Sequence, residues 1–220
     1  MVSNNVHKFP AADALEIALA QQIQELLTAA IDKQDQAVLA VSGGSTPLGL
    51  FKKLSVMDLA WDKVQVVLVD ERLVAQASAD SNTALVRQNL LTNNASAATF
   101  IDLTQAATTA AVDNLKLDVA VLGMGLDGHT ASWFPCAKEI NNIFDTQAPY
   151  LQVTPTTAKH ERITLTPKVI MQAEALFLHI VGAEKFAVYE QALINKDHLA
   201  MPISFVLHEA RTKLAVYWSN

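Results

Sequence analysis

Residues 117–129 read LDVAVLGMGLDGH. Leu117 to Leu122 is an apolar run broken only by Asp118, and it stops at the glycines Gly123, Gly125 and Gly128. A short run without polar alternation reads as a strand covered on both faces, and glycine permits the sharp turn that must follow. The pattern recurs along the chain. Val38 to Val41 stops at Ser42-Gly43-Gly44-Ser45-Thr46-Pro47, Val64 to Val69 at Asp70-Glu71-Arg72, and Ala175 to Val181 at Gly182-Ala183-Glu184-Lys185. Helical stretches lie between. Glu16 to Ile31 carries Leu19, Ile23, Leu26, Leu27 and Ala30 at three- and four-residue spacing, with Leu15 just ahead of it. Ser81 to Leu91, Thr104 to Leu115 and Ala183 to Ile194 are further candidate helices, and Thr166-Pro167 starts another. Phe100 to Leu103, Tyr150 to Thr154, Arg162 to Leu165 and Lys213 to Trp218 are the other candidate strands. Strands alternating with helices predict an α/β fold with a mostly parallel sheet flanked by helices. No repeat, low-complexity tract or Pro/Gly-rich linker divides residues 1–220, so one domain is expected.

Composition narrows the function. Of 220 residues, 51% are apolar or aromatic and 17% are charged, which excludes a disordered chain. Acids outnumber bases by 22 to 16, for a net charge of -6 at pH 7, so a nucleic-acid partner is not expected. Cys136 is the single cysteine, which excludes an internal disulfide and a multi-cysteine metal site. Met1 to Pro10 lacks a basic-then-apolar signal pattern, and no apolar run reaches the ~18 residues of a membrane helix. A cytoplasmic protein without a membrane partner is expected.

Ligands of open α/β sheets bind beyond the carboxyl ends of the strands, where the polar clusters of this sequence fall. Four separated segments are therefore expected to converge on one crevice. Ser42 to Thr46 joins two glycines to three hydroxyls ahead of a helix start, a pattern suited to an anion or to an ordinary strand-to-helix turn. It lacks the Gly-Lys-Ser/Thr of a Walker loop, and Pro47 stands where a nucleophile elbow needs glycine. Arg72 offers a planar fork for phosphate, which a neighbouring carboxylate could hold. Gly123, Gly125 and Gly128 spell G-x-G-x-x-G, but no acid ends the following candidate strand, and Asp127 would repel a pyrophosphate. The better reading is a turn that presents Asp127 and His129 to a pocket, with His129 able to carry a proton near neutral pH. Lys185, in the first turn of a helix, opposes the helix dipole, and an anionic ligand would offset that cost. Arg162 is a second anion contact or an exposed strand start. His179, inside a strand, reads as a core or surface residue, and Cys136 as inert packing. Asp127 and His129 lack a visible third metal ligand, so no metal or other cofactor is expected.

Together these segments resemble the bacterial type of the 6-phosphogluconolactonase family. The likeness rests on Ser42-Gly43-Gly44-Ser45-Thr46-Pro47, Asp70-Glu71-Arg72, Asp80-Ser81-Asn82, Gly123 through Pro135, Arg162-Ile163-Thr164-Leu165-Thr166 and Gly182-Ala183-Glu184-Lys185, in the family's order. The family is similar in fold to the glucosamine-6-phosphate deaminases. Those carry Asn-Glu-Pro where this chain has Trp133-Phe134-Pro135, and Tyr where it has Arg72. The resemblance implies a Rossmann-like topology and hydrolysis of 6-phospho-D-glucono-1,5-lactone in the oxidative pentose phosphate pathway. It implies His129 as general base for a water, with Asp127 orienting the imidazole or the water. It also implies a substrate site built from Ser42, Gly43, Gly44, Ser45, Thr46, Asp70, Arg72, Gly125, Arg162 and Lys185, with a glycine turn as the source of oxyanion donors. The partner would be a small phosphosugar lactone and the protein a monomer or weak dimer. Two alternatives keep the same pocket: an isomerase or deaminase with a carboxylate such as Asp70 as base, and a phosphosugar sensor without turnover.

Overall fold

In the computed structural model, which describes residues 5–105, 112, 115–210 and 213–220, the strands in chain order are β1 (Asn5–Phe9), β2 (Ala37–Val41), β3 (Val64–Leu68), β4 (Asp70–Arg72), β5 (Thr99–Ile101), β6 (Val119–Leu122), β7 (Tyr150–Val153), β8 (Arg162–Leu165), β9 (Ala175–Val181) and β10 (Leu214–Ser219). The α-helices among these residues are α1 (Ala12–Gln34), α2 (Leu48–Ser55), α3 (Asn82–Asn89), α4 (Ile140–Asp145), α5 (Pro167–Ile170), α6 (Ala183–Ile194) and α7 (Ile203–Glu209). The helix expected over Thr104–Leu115 falls largely outside the described residues.

Seven strands form one sheet in the order β1-β10-β9-β6-β2-β3-β5, and every pairing in it is parallel. All residues of β2 and β6 are buried, as expected for strands covered on both faces. On α1, Leu15, Leu19, Ile23 and Leu27 are fully buried, and one apolar cluster runs from Leu15 to Tyr217. The chain builds outward from β2 through β3 to β5, then returns to β6 on the other side of β2. The strand order therefore reverses between β2 and β6, where Ser42 and Gly123 begin their loops. Diverging loops open a crevice at such a point.

Two expectations need correction. Arg162–Leu165 and Tyr150–Val153 are strands, but they lie in a separate three-stranded antiparallel sheet, β4-β8-β7, in which β8 pairs with β4 on one side and with β7 on the other. Asp70-Glu71-Arg72 is thus a strand and not a loop. Its three residues, all charged, are too few to show a period. Asn5–Phe9 form the edge strand β1 on β10, which the sequence analysis did not assign. Among the described residues no helix is long and apolar enough to cross a membrane.

Candidate active site

The crevice at the β2–β6 reversal is a cavity of about 270 Å³. It is lined by residues 42–47, by Asp70 and Arg72 of β4, by Gly123, Met124, Gly125 and His129–Ala131, by Arg162, and by Lys185 at the start of α6. The expected convergence of distant segments is therefore found. That volume is at the small end of ligand pockets and suits a sugar phosphate better than a dinucleotide. The Gly123–Gly128 turn also fails as a dinucleotide loop because no helix follows it directly; the next helix is α4.

The turn after β6 is shaped to hold His129. Gly125 N–H donates to the His129 carbonyl (2.9 Å) and Gly128 N–H to the Gly125 carbonyl (3.1 Å). A Cβ at residue 125 would overlap the His129 ring and the Asp127 carboxylate, so glycine is required there. The folded turn sets Asp127 Oδ1 2.5 Å from His129 Nδ1. Burial would raise the Asp127 pKa, but the His129 hydrogen bond and charge outweigh it and hold the carboxyl below its ordinary value. With Nδ1–H donated to Asp127, Nε2 is left as the proton acceptor. The next residues anchor the turn. Thr130 Oγ1 donates to the Gly123 carbonyl (2.8 Å), Ser132 Oγ to Asp70 Oδ2 (2.5 Å), and Trp133 Nε1 to the Leu165 carbonyl (2.8 Å). The Phe134 ring packs on His129 at 4.2 Å between centroids and carries the Arg162 guanidinium at 5.5 Å.

The other wall is cationic. Arg72 and Arg162 are opposite each other in the β4–β8 ladder, an arrangement of like charges that favours an anion between or beside them. Arg162 Nη1 is 3.8 Å from buried Asp70. Burial raises the Asp70 pKa, against the Ser132 hydrogen bond and the Arg162 and His129 charges. Among the described residues, no carboxylate lies within ion-pair distance of Arg72 or Lys185. Burial lowers the Lys185 pKa, and its Nζ reaches Thr46 Oγ1 at 3.3 Å. The backbone N–H groups of residues 43–46 have no acceptor among the described residues. Free N–H groups and cations around one cavity are the chemistry with which an anion can be held.

Several sequence expectations change at this level. Ser42 lines the cavity, but its hydroxyl donates to the Val121 carbonyl (3.1 Å) and accepts from Gly123 N–H (3.0 Å), which ties the tips of β2 and β6 together. Glu71 does not hold the Arg72 fork. Its buried carboxylate accepts N–H groups of Arg72, Asn82 and Thr83 at 2.6–2.8 Å and so fixes the start of α3. The N–H groups of Gly123, Gly125 and Gly128 are already committed, so these three do not supply the oxyanion donors expected of a glycine turn. Asp127 reaches the site through His129 and is not among the lining residues. Asn82 and His179 also line the cavity, although neither was among the expected site residues. Asn82 packs against Gly43 so closely that a Cβ there would overlap it. Its place in Asp80-Ser81-Asn82 was the available signal. His179 is buried on β9, in keeping with the core reading, and its setting in the sequence did not point to the cavity. Among the described residues no group of three His, Cys, Asp or Glu is placed to hold a metal ion.

Comparison with known proteins agrees with the arrangement. The profile of the family described as "Glucosamine-6-phosphate isomerases/6-phosphogluconolactonase" matches residues 10–218. A 6-phosphogluconolactonase of Rhizobium meliloti is 42% identical over 231 residues, covering 99% of this chain and 100% of the relative. The crystal structure of a 6-phosphogluconolactonase from Shewanella baltica superposes with a TM-score of 0.95 at 42% identity, covering 100% of both chains. A monomeric glucosamine-6-phosphate deaminase, 16% identical with a TM-score of 0.80 over 98% of this chain and 97% of its own, shares the fold.

Proposed function

Because the chain belongs to the glucosamine-6-phosphate isomerase/6-phosphogluconolactonase family, we propose that it hydrolyses 6-phospho-D-glucono-1,5-lactone to 6-phospho-D-gluconate, with His129 as general base. The observation that carries this reading is the cavity itself. A histidine held by a carboxylate faces the same 270 Å³ space as Arg72, Arg162 and Lys185. The full-length likeness to relatives named 6-phosphogluconolactonase favours the lactonase over the deaminase reading.

The 6-phosphate lies against residues 43–46, Arg72 and Lys185, with Arg162 adding charge from the opposite strand. Holding that end fixes the lactone carbonyl relative to His129 and lowers the entropic part of the barrier. A water between His129 Nε2 and C1 loses its proton to the ring as its oxygen attacks. The carbonyl electron pair moves onto oxygen, giving a tetrahedral oxyanion. Asp127 stabilises the imidazolium, as the orienting carboxylate does in a Ser-His-Asp triad. On collapse the bond from C1 to the ring oxygen breaks, and the imidazolium proton passes to the departing ring oxygen. The N–H groups of residues 43–46 are uncommitted and serve as donors for phosphate and oxyanion. A lactone is an activated ester, so this sequence needs no covalent intermediate.

The test is lactone hydrolysis by the wild type, His129→Ala and Arg72→Ala, measured above the spontaneous rate. His129→Ala should lose at least ~10²-fold in kcat while still binding 6-phosphogluconate. Arg72→Ala should chiefly raise KM for the phosphorylated lactone. A wild type that leaves the spontaneous rate unchanged would overturn the proposal.

A further inference from the structure

Arg72 and Arg162 repel each other across the ladder, yet both line the cavity, so something must fix the spread of their guanidinium groups. Each is held by a backbone carbonyl. Arg72 Nη1 donates to the Asp80 carbonyl (2.9 Å), and Arg162 Nη2 donates to the Lys159 carbonyl (3.2 Å). The two carbonyls belong to loops some eighty positions apart, after β4 and before β8. The loops meet at one side chain. Asp80 Oδ2 is 2.8 Å from His160 Nε2 and 3.3 Å from Lys159 Nζ. His160 has the left-handed φ of 73°, which a non-glycine residue keeps only where its surroundings hold it. Those contacts, the His160 hydrogen bond first, hold the Asp80 carboxyl below its ordinary pKa. Asp70 also faces Arg162 at 3.8 Å from inside the site, whereas Glu71, beside Arg72, is taken up by backbone N–H groups and does not compete for the arginines.

We propose that Asp80, clasped by His160 and Lys159, is a positioning residue that sets the spacing of Arg72 and Arg162 for the phosphate of the substrate. The inference rests on the reading of the cavity as a phosphosugar site. The Asp80 side chain is 43% exposed, so each tie is individually weak. What the clasp contributes is geometry, and its loss is expected to cost several-fold and not orders of magnitude.

The experiment compares wild type, Asp80→Ala, Asp80→Asn and His160→Ala. It measures 6-phosphogluconate binding by calorimetry, and kcat and KM on phosphorylated and unphosphorylated gluconolactone. Asp80→Ala should raise Kd and phosphorylated-lactone KM about fivefold. Its kcat should stay within about twofold, and its kcat/KM on the unphosphorylated lactone should not change. Asp80→Asn keeps an acceptor for the His160 ring and should recover most of the loss, while His160→Ala should follow Asp80→Ala. Unchanged Kd and KM in Asp80→Ala would overturn the clasp, and so would equal losses on both lactones. If the wild type fails to hydrolyse the lactone but Asp80→Ala still weakens 6-phosphogluconate binding, the proposed activity falls and the clasp stands.

Discussion

Acid should destabilise this protein through one buried ring. His179 is 2% exposed on β9, and neither of its ring nitrogens has a hydrogen-bond partner among the described residues. Burial, aided by the charge of Lys185, lowers its pKa from 6.5 to about 4. An unfolded chain would bind the proton near pH 6.5, whereas the folded chain resists it until about pH 4. Between those values the unfolded state carries more protons, so stability falls as the pH falls. The full effect is about 3 kcal/mol, of which about 2 kcal/mol appears between pH 7 and pH 4.5. Urea unfolding of wild type and His179→Leu at both pH values, at one ionic strength, isolates it from the carboxylates that both proteins share. The variant should be at least as stable at pH 7, because it removes two unsatisfied nitrogens. On acidification it should lose about 2 kcal/mol less than the wild type, on the order of 1 M in urea midpoint. Parallel losses in the two proteins would refute a neutral, buried His179.

Glu71→Ala should strip acceptors from the buried N–H groups of Arg72, Asn82 and Thr83 and from the Ser81 hydroxyl. A loss of about 3 kcal/mol or more is expected, read as a Tm fall of roughly 6–12 °C, and a fall under about 2 °C would contradict the capping role. Asp127→Ala removes the partner of His129 Nδ1 and should lower kcat roughly 10- to 100-fold with little change in KM. Steady-state kinetics on the phosphorylated lactone checks this, and a change confined to KM would mean that Asp127 acts in binding instead.

The apolar runs were enough to predict a parallel sheet, and the glycine and hydroxyl clusters at their ends were enough to locate the crevice. Both signals are local: a covered strand must be apolar on both faces, and a sharp turn needs glycine, whatever the rest of the chain does. Short elements escaped for the same reason. A strand of three charged residues such as β4, or an edge strand such as β1 that reads NVHKF, carries no period of its own. Its pairing partner defines it.

The partner of each polar group was legible only after folding. Ser42 has the composition of an anion donor and is instead a tie between strand tips. Glu71 stands beside Arg72 in sequence and serves the start of α3. Asp127 and His129, two positions apart, meet only because the turn folds back over Gly125. Arg72 and Arg162 are opposed by the β4–β8 register, and Asp80 reaches His160 because the loops beyond that ladder are adjacent. A hydrogen bond or ion pair is decided at about 3 Å by whichever donors and acceptors the topology brings together. Chain order limits those pairings only loosely. Hydrophobic periodicity acts residue by residue and can be read without knowing them.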